Sequence, residues 1–151
     1  MVDWLLEHVA AAPDVEIGRG MAAANRFPIE GWELTLIQRF QFGDIRLEGP
    51  KATVVVEVES AGGVGNLVKF WPLLRAGRPT KRFVLVHIFR LTSEADYIAH
   101  RRLWEFLVER MRDDLSQADL RWSIDWEARQ FTYRVLDDLE SAADYMRETL
   151  R

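Results

Sequence analysis

Thr53-Val54-Val55-Val56-Glu57-Val58-Glu59-Ser60, followed by Gly62-Gly63-Val64-Gly65-Asn66 and Lys69, is the stretch on which the fold turns. A β-branched run this dense predicts a strand packed on both faces, inside a sheet. Side chains alternate along a strand, so Val54, Val56 and Val58 share one face, while Val55, Glu57 and Glu59 share the other. Two carboxylates then stand roughly 6.5–7 Å apart at the end of an apolar strand. A desolvated like-charge pair costs free energy unless a cation, a hydrogen bond or water compensates it. The glycine-rich turn that follows lets the chain leave the strand sharply, and the combination marks a candidate site.

Outward from this stretch the pattern is that of one α/β unit spanning residues 1–151. Val2, Leu5, Leu6 and Val9 fall at helical spacing and predict a helix from Val2 to Ala12, ended near Pro13. Residues 14–31 read as a loop with one helical turn. Glu33–Phe42 is expected to be a strand, although its alternation slips once between Leu36 and Ile37. Gly43-Asp44 makes a turn into a short strand, Ile45–Glu48, and Gly49-Pro50-Lys51 turns the chain again. After the glycines, Val64, Leu67, Val68, Trp71 and Leu74 predict an amphipathic helix bent at Pro72. A strand over Phe83–Leu91, a long helix from Ser93 to Leu115, strands over Leu120–Trp126 and Gln130–Leu136, and a final helix to Leu150 complete the order.

The 151 residues carry a net charge of −4 and contain no cysteine, which excludes a disulfide framework, a thiolate metal site and a cysteine nucleophile. There is no apolar run of about 18 residues to cross a membrane, and Met1-Val2-Asp3-Trp4 lacks the pattern of a signal peptide. The expectation is a soluble, cytoplasmic protein with no membrane partner. Between Ser60 and Ser93 every charged residue is basic: Lys69, Arg75, Arg78, Lys81, Arg82 and Arg90. That window is +6 and the remainder −10, an asymmetry that suits a polyanion-facing surface or a set of cations balanced by acids elsewhere in the fold. The glycines match neither the Walker spacing nor the dinucleotide fingerprint. His8 and His100 have no zinc-ligand spacing, and His87 reads as a core histidine. Trp71, Trp104, Trp122 and Trp126 sit at apolar phases and read as core or interface residues.

The segment from Glu33 to Leu91 resembles the core of the PD-(D/E)xK superfamily, the restriction-endonuclease-like nucleases. The resemblance implies a central mixed sheet flanked by helices, an Asp at the start of the second strand and a Glu or Asp on the third, with a Lys usually two residues later. Asp44 and Glu57 fall in these places, Gly43 stands where the motif has Pro, and Glu59 stands where it has Lys. In some relatives the lysine moves to the following helix, which points to Lys69, one helical spacing after Asn66. The implied catalytic residues are Asp44, Glu57, Glu59 and Lys69. Asp44, Glu57 and Glu59 would bind Mg²⁺ or Mn²⁺, because a hard divalent cation takes carboxylate oxygens. Asn66, Lys69, Arg75, Arg78, Lys81 and Arg82 would meet nucleic acid, and relatives of this type imply a homodimer. Two functions stay open: a metal-dependent nuclease acting on DNA or RNA, and a non-catalytic module of the same fold that binds nucleic acid or protein.

Overall fold

Burial on both faces of the valine run builds the centre of the protein, seen in a computed structural model that describes residues 1–9, 14–20, 25–59, 63–76, 81–89, 94–117, 131–136 and 139–151. Helix α1 (Val2–Val9) precedes β1 (Glu16–Arg19), β2 (Ile45–Glu48) and β3 (Ala52–Glu59). Two short helices, α2 (Gly65–Val68) and α3 (Phe70–Ala76), lead to β4 (Arg82–Phe89). Then come α4 (Glu94–Gln117), β5 (Phe131–Leu136) and α5 (Leu139–Leu150). The five strands lie in the order β1-β2-β3-β4-β5. Pairing is antiparallel from β1 to β3 and parallel from β3 to β5, so the fold is α+β with a mixed sheet flanked by helices.

Each face of the sheet has its own core. Val54, Val56, Val84, Val86 and Ile88 pack with Leu5, Leu6 and Val9 of α1 and Ala142, Ala143, Met146 and Leu150 of α5. Val55, Phe83, Leu85 and Phe89 pack with Phe42, Leu67, Phe70, Trp104, Val108 and Met111. Glu57 and Glu59 follow Val55 in phase and therefore belong to this second face, the one covered by α2, α3 and α4. The expected alternation of β3 holds. A fully buried Val contributes roughly 1.5–3 kcal/mol, so the zero-exposure Val54, Val55 and Val56 supply enough to carry a costly carboxylate at the strand's end.

Two sequence expectations need correction. Residues 33–42 are not a strand: Leu36–Gln38 form a 3-10 turn, and Ile37 is 85% exposed. The slip between Leu36 and Ile37 removes a continuous apolar face, and the edge of β2 is already occupied. Its occupant is β1, inside the stretch read as a loop, with Ile17 opposite Leu47 and Arg19 opposite Ile45. A four-residue edge strand with a single branched apolar side chain carries no pattern of its own; backbone pairing makes it. The Ile45–Glu48 strand remains second in the sheet and the valine strand third.

The single bent helix expected after the glycines is two helices, broken at Lys69. Pro72 has no N–H to give the carbonyl of Val68 and its ring crowds that carbonyl, so α2 stops there. Pro72 itself lies in the first turn of α3, where a missing N–H costs nothing. The expected helix and strand ends at residues 10–12, 60, 90–93 and 130, and the whole expected strand Leu120–Trp126, fall outside the described residues. Among the described residues, no helix is long and apolar enough to cross a membrane.

The basic end of the sheet illustrates how charge is settled internally. Lys81 pairs with Glu48 at 2.6 Å and donates to the Gly49 carbonyl at 2.8 Å, while Arg46 and Thr53 also donate to Glu48. Burial works against the ionised Glu48, but hydrogen bonds from Lys81, Thr53 and Arg46 together hold its carboxyl below the usual range. Glu48→Gln is expected to cost about 1–2 kcal/mol at neutral pH, the scale of hydrogen bonds to a charged group. Because the folded pKa is depressed, the advantage over Gln is present above the unfolded value and fades as pH falls through the folded one. Urea melts at pH 7 and pH 3.5 check this; a gap between the two proteins that does not narrow in acid would refute it.

Candidate functional site

The C-terminal ends of parallel strands commonly hold sites, because the following helix begins there and side chains from several connections meet. Here β3 ends in Glu57, Val58 and Glu59, and α2 delivers Asn66 and Lys69 back over that end. Breaking the helix at Lys69 leaves this residue at a turn, with its stem along the apolar face. The ammonium lies 2.5 Å from Glu57 Oε1, with the two side chains only 8% and 4% exposed. The rings of Phe42 and Phe70 stand 5.9 and 5.6 Å from the same nitrogen. It is a buried ion pair with aromatic walls.

Glu57 has a second partner. The Gly43 N–H donates to Glu57 Oε1 at 2.8 Å. Gly43 has φ +87, and a Cβ there would lie 2.5 Å from a Val55 methyl and 2.9 Å from the Ile45 carbonyl. Only glycine fits. A proline at this position would also lack the N–H that Glu57 uses, a requirement the sequence did not reveal.

Asp44 enters from the same turn. The Val58 N–H donates to Asp44 Oδ2 at 2.9 Å, and the Asp44 N–H donates to the Val56 carbonyl at 2.7 Å, clamping the turn to the strand end. Burial pushes the Glu57 carboxyl up to about 7; Lys69 and the Gly43 N–H oppose that rise and the charge of Asp44 adds to it. Glu59 is raised too, first by burial and also by Asp44, against a hydrogen bond from Asn66 and the charge of Lys69. Asp44 thus acts electrostatically on both glutamates. The structure brings Asp44, Glu57, Glu59, Asn66 and Lys69 into one cluster.

His87, read from sequence as a core residue, is fully buried opposite Glu57 in the β3–β4 register, with its ring edge-on to Trp104 at 4.2 Å. Burial, helped by the charge of Lys69, holds its pKa well below the ordinary value, so it is neutral at physiological pH. The sequence carried no sign of this juxtaposition, because parallel register is set by helices on either side rather than by the strands alone.

The other expected nucleic-acid contacts do not join the cluster. Arg75 is paired with Asp114, which also accepts from the Trp71 indole N–H. Lys81 is committed to Glu48. Arg82 aligns with Ala52 at the start of β3, roughly 20 Å or more from Glu59 along the strand. Arg78 lies outside the described residues. The described members of the basic window are therefore divided between two ends of the sheet, and three of them are matched by acids of the fold.

Each site carboxylate has one oxygen engaged, leaving Asp44 Oδ1, Glu57 Oε2 and Glu59 Oε2 without a hydrogen bond among the described residues. These are hard oxygen donors of the kind Mg²⁺ and Mn²⁺ accept, and Mg²⁺ needs only one or two carboxylates while keeping several waters. Asp44 and Glu57 fit that requirement. Among the described residues, no group of three or more His, Asp or Glu side chains is placed to hold a metal ion. An open hollow of 390 Å³ lies elsewhere, at the Glu48 end, lined by Asp14, Glu16, Arg46, Glu48, Gly49, Pro50 and Lys81. Its cations are committed to Glu48, and it does not reach the β3 terminus. Against known proteins the chain stands without a match: no family model, no curated protein and no solved structure is significantly similar to it.

Proposed function

We propose that this protein is a divergent nuclease of the PD-(D/E)xK type, hydrolysing nucleic-acid phosphodiesters with Mg²⁺ or Mn²⁺ through Asp44, Glu57 and Lys69. The observation that carries the reading is the Lys69 ammonium, 2.5 Å from Glu57, supplied by the helix after the third strand. Asp44 at the mouth of the second strand, and a mixed sheet in which β1, β2 and β3 form a meander followed by a helix and a parallel strand, support it. A divalent cation bound by these carboxylates would polarise the phosphate and acidify a bound water. Asp44 and Glu57 would supply oxygens for it, and the Gly43 N–H would keep the Glu57 carboxylate oriented. Lys69, held beside Glu57, would offer its ammonium to charge developing on the phosphate.

Burial of the Lys69–Glu57 pair favours a second reading, a nuclease-fold module without catalysis, in which the pair holds the β3 terminus to α2 and does nothing else. Incubating the protein with Mn²⁺ and a panel of single-stranded, duplex and branched DNA and RNA separates the two. The nuclease reading expects cleavage, and Glu57→Gln is expected to reduce it by about 10²–10³ while the circular dichroism spectrum is unchanged. An intact panel, together with no Mn²⁺ binding by calorimetry, leaves the non-catalytic module.

A further inference from the structure

Glu59 occupies the position from which a lysine would ordinarily face the site, and Lys69 comes from a helix instead. The side chain between them is Asn66. Its Nδ2 donates to Glu59 Oε1 at 2.6 Å, and its Oδ1 accepts from the Lys69 ammonium at 3.1 Å. A primary amide can give to a carboxylate with one end and take from an ammonium with the other while staying neutral itself. These two contacts fix which way the amide points: reversed, it would set oxygen against Glu59 and NH₂ against Lys69. Asn66 on α2 precedes Lys69, the residue that ends the helix, by three positions, and both reach the strand end. The continuous path is Glu57, Lys69, Asn66, Glu59, with the carboxylates at its two ends on the same face of β3.

We infer that Asn66 is a positioning residue, and that Glu59 anchors it rather than serving as a second metal ligand. The inference rests on the nuclease reading for the purpose of the lysine, but the relay itself does not require catalysis. Lys69 lies at the break between α2 and α3 and carries four rotatable bonds. Glu57 alone gives its ammonium one anionic partner; Asn66 supplies a second acceptor from a different direction and thereby fixes the ammonium's location. Glu59, buried at the end of β3, fixes Asn66 in turn by accepting from its Nδ2. An acid at the lysine position is thus part of the device that brings a lysine in from the helix.

The test reads Lys69 directly. In ¹⁵N-labelled protein, the Lys69 ammonium should give a distinct Nζ–Hζ signal with slowed hydrogen exchange. Asn66→Ala and Glu59→Ala should each speed that exchange by about tenfold or more, the scale of a lost hydrogen bond to a charged group. The double variant should add little to either single one, because the two act in series. Glu59→Gln, which keeps an acceptor oxygen and removes the charge, should restore slow exchange and leave Mn²⁺ affinity unchanged. Unaltered exchange in both alanine variants would overturn the relay, and a tenfold weaker Mn²⁺ affinity in Glu59→Gln would return Glu59 to the metal. Neither measurement depends on turnover, so an inactive wild type would count against the nuclease reading and leave the relay standing.

Discussion

Lys69→Met should destabilise the protein by about 3–5 kcal/mol at pH 8 and by much less at pH 5. The substitution keeps most of the stem between Phe42 and Phe70 but leaves Glu57 buried without its cation. An unpaired charge in that setting must either be carried at full desolvation cost or be neutralised. At pH 8 it is carried, or a proton is taken up at a cost that grows with pH. At pH 5 the Glu57 carboxyl, already raised to about 7 in the wild type, is protonated in both proteins. Removing a buried ammonium beside a neutral acid then costs little, or stabilises. Urea unfolding at the two pH values measures this, and equal losses at both would show that the pair is not the source.

Glu57→Gln supplies the complementary measurement. The folded Glu57 binds a proton between about pH 4.5 and 7 that the unfolded chain releases, so its contribution makes stability fall as pH rises across that window and level off above it. Buried His87 has the opposite slope: the unfolded imidazole takes a proton below about 6.5 that the folded one refuses, so stability falls as pH drops. The raw profile mixes both. The difference between wild type and Glu57→Gln isolates the carboxyl and should grow in favour of Gln from pH 5 to pH 8, by roughly 2–3 kcal/mol for a shift of this size.

Gly43→Pro is expected to be as damaging as the loss of Lys69, at about 3–5 kcal/mol. Three costs combine. Proline cannot adopt φ +87, added ring atoms meet the Val55 methyl and the Ile45 carbonyl, and the N–H held by Glu57 disappears. Steric overpacking contributes roughly 1–3 kcal/mol, and an unsatisfied buried acceptor a similar amount. Gly43→Ala keeps the N–H and should fall between the two proteins. Thermal melts of all three rank them; a proline variant as stable as wild type would mean that the β2 turn readily adopts another path.

Much of this architecture was legible without coordinates. The valine run announced a central strand and its two faces, because period-2 alternation and burial on both sides leave few other arrangements for Thr53–Glu59. The spacing after the glycines announced a helix, and helical spacing brought Asn66 and Lys69 to one side of it. Strand alternation alone set Glu57 and Glu59 on one face, whereas Asp44 and Lys69 were nominated only by the resemblance to a nuclease motif. What failed was the edge. Glu33–Phe42 has more apolar residues than Glu16–Arg19, yet the shorter segment takes the place beside β2, since an edge strand is recruited by unpaired backbone groups rather than by its own side chains.

The sequence by itself determined the central valine strand with its two faces and which residues carry charge, for these follow from local composition and period. Only the tertiary structure decided how the charges were matched. Lys81 and Arg75 lie in the same basic window as Lys69, but Glu48 and Asp114 take them. The Gly43 N–H found Glu57, fourteen residues away, and β4 set His87 beside it by register. Electrostatic pairing and hydrogen bonding act over a few ångströms between groups far apart in the chain, so they emerge only when the strands and helices have closed on one another.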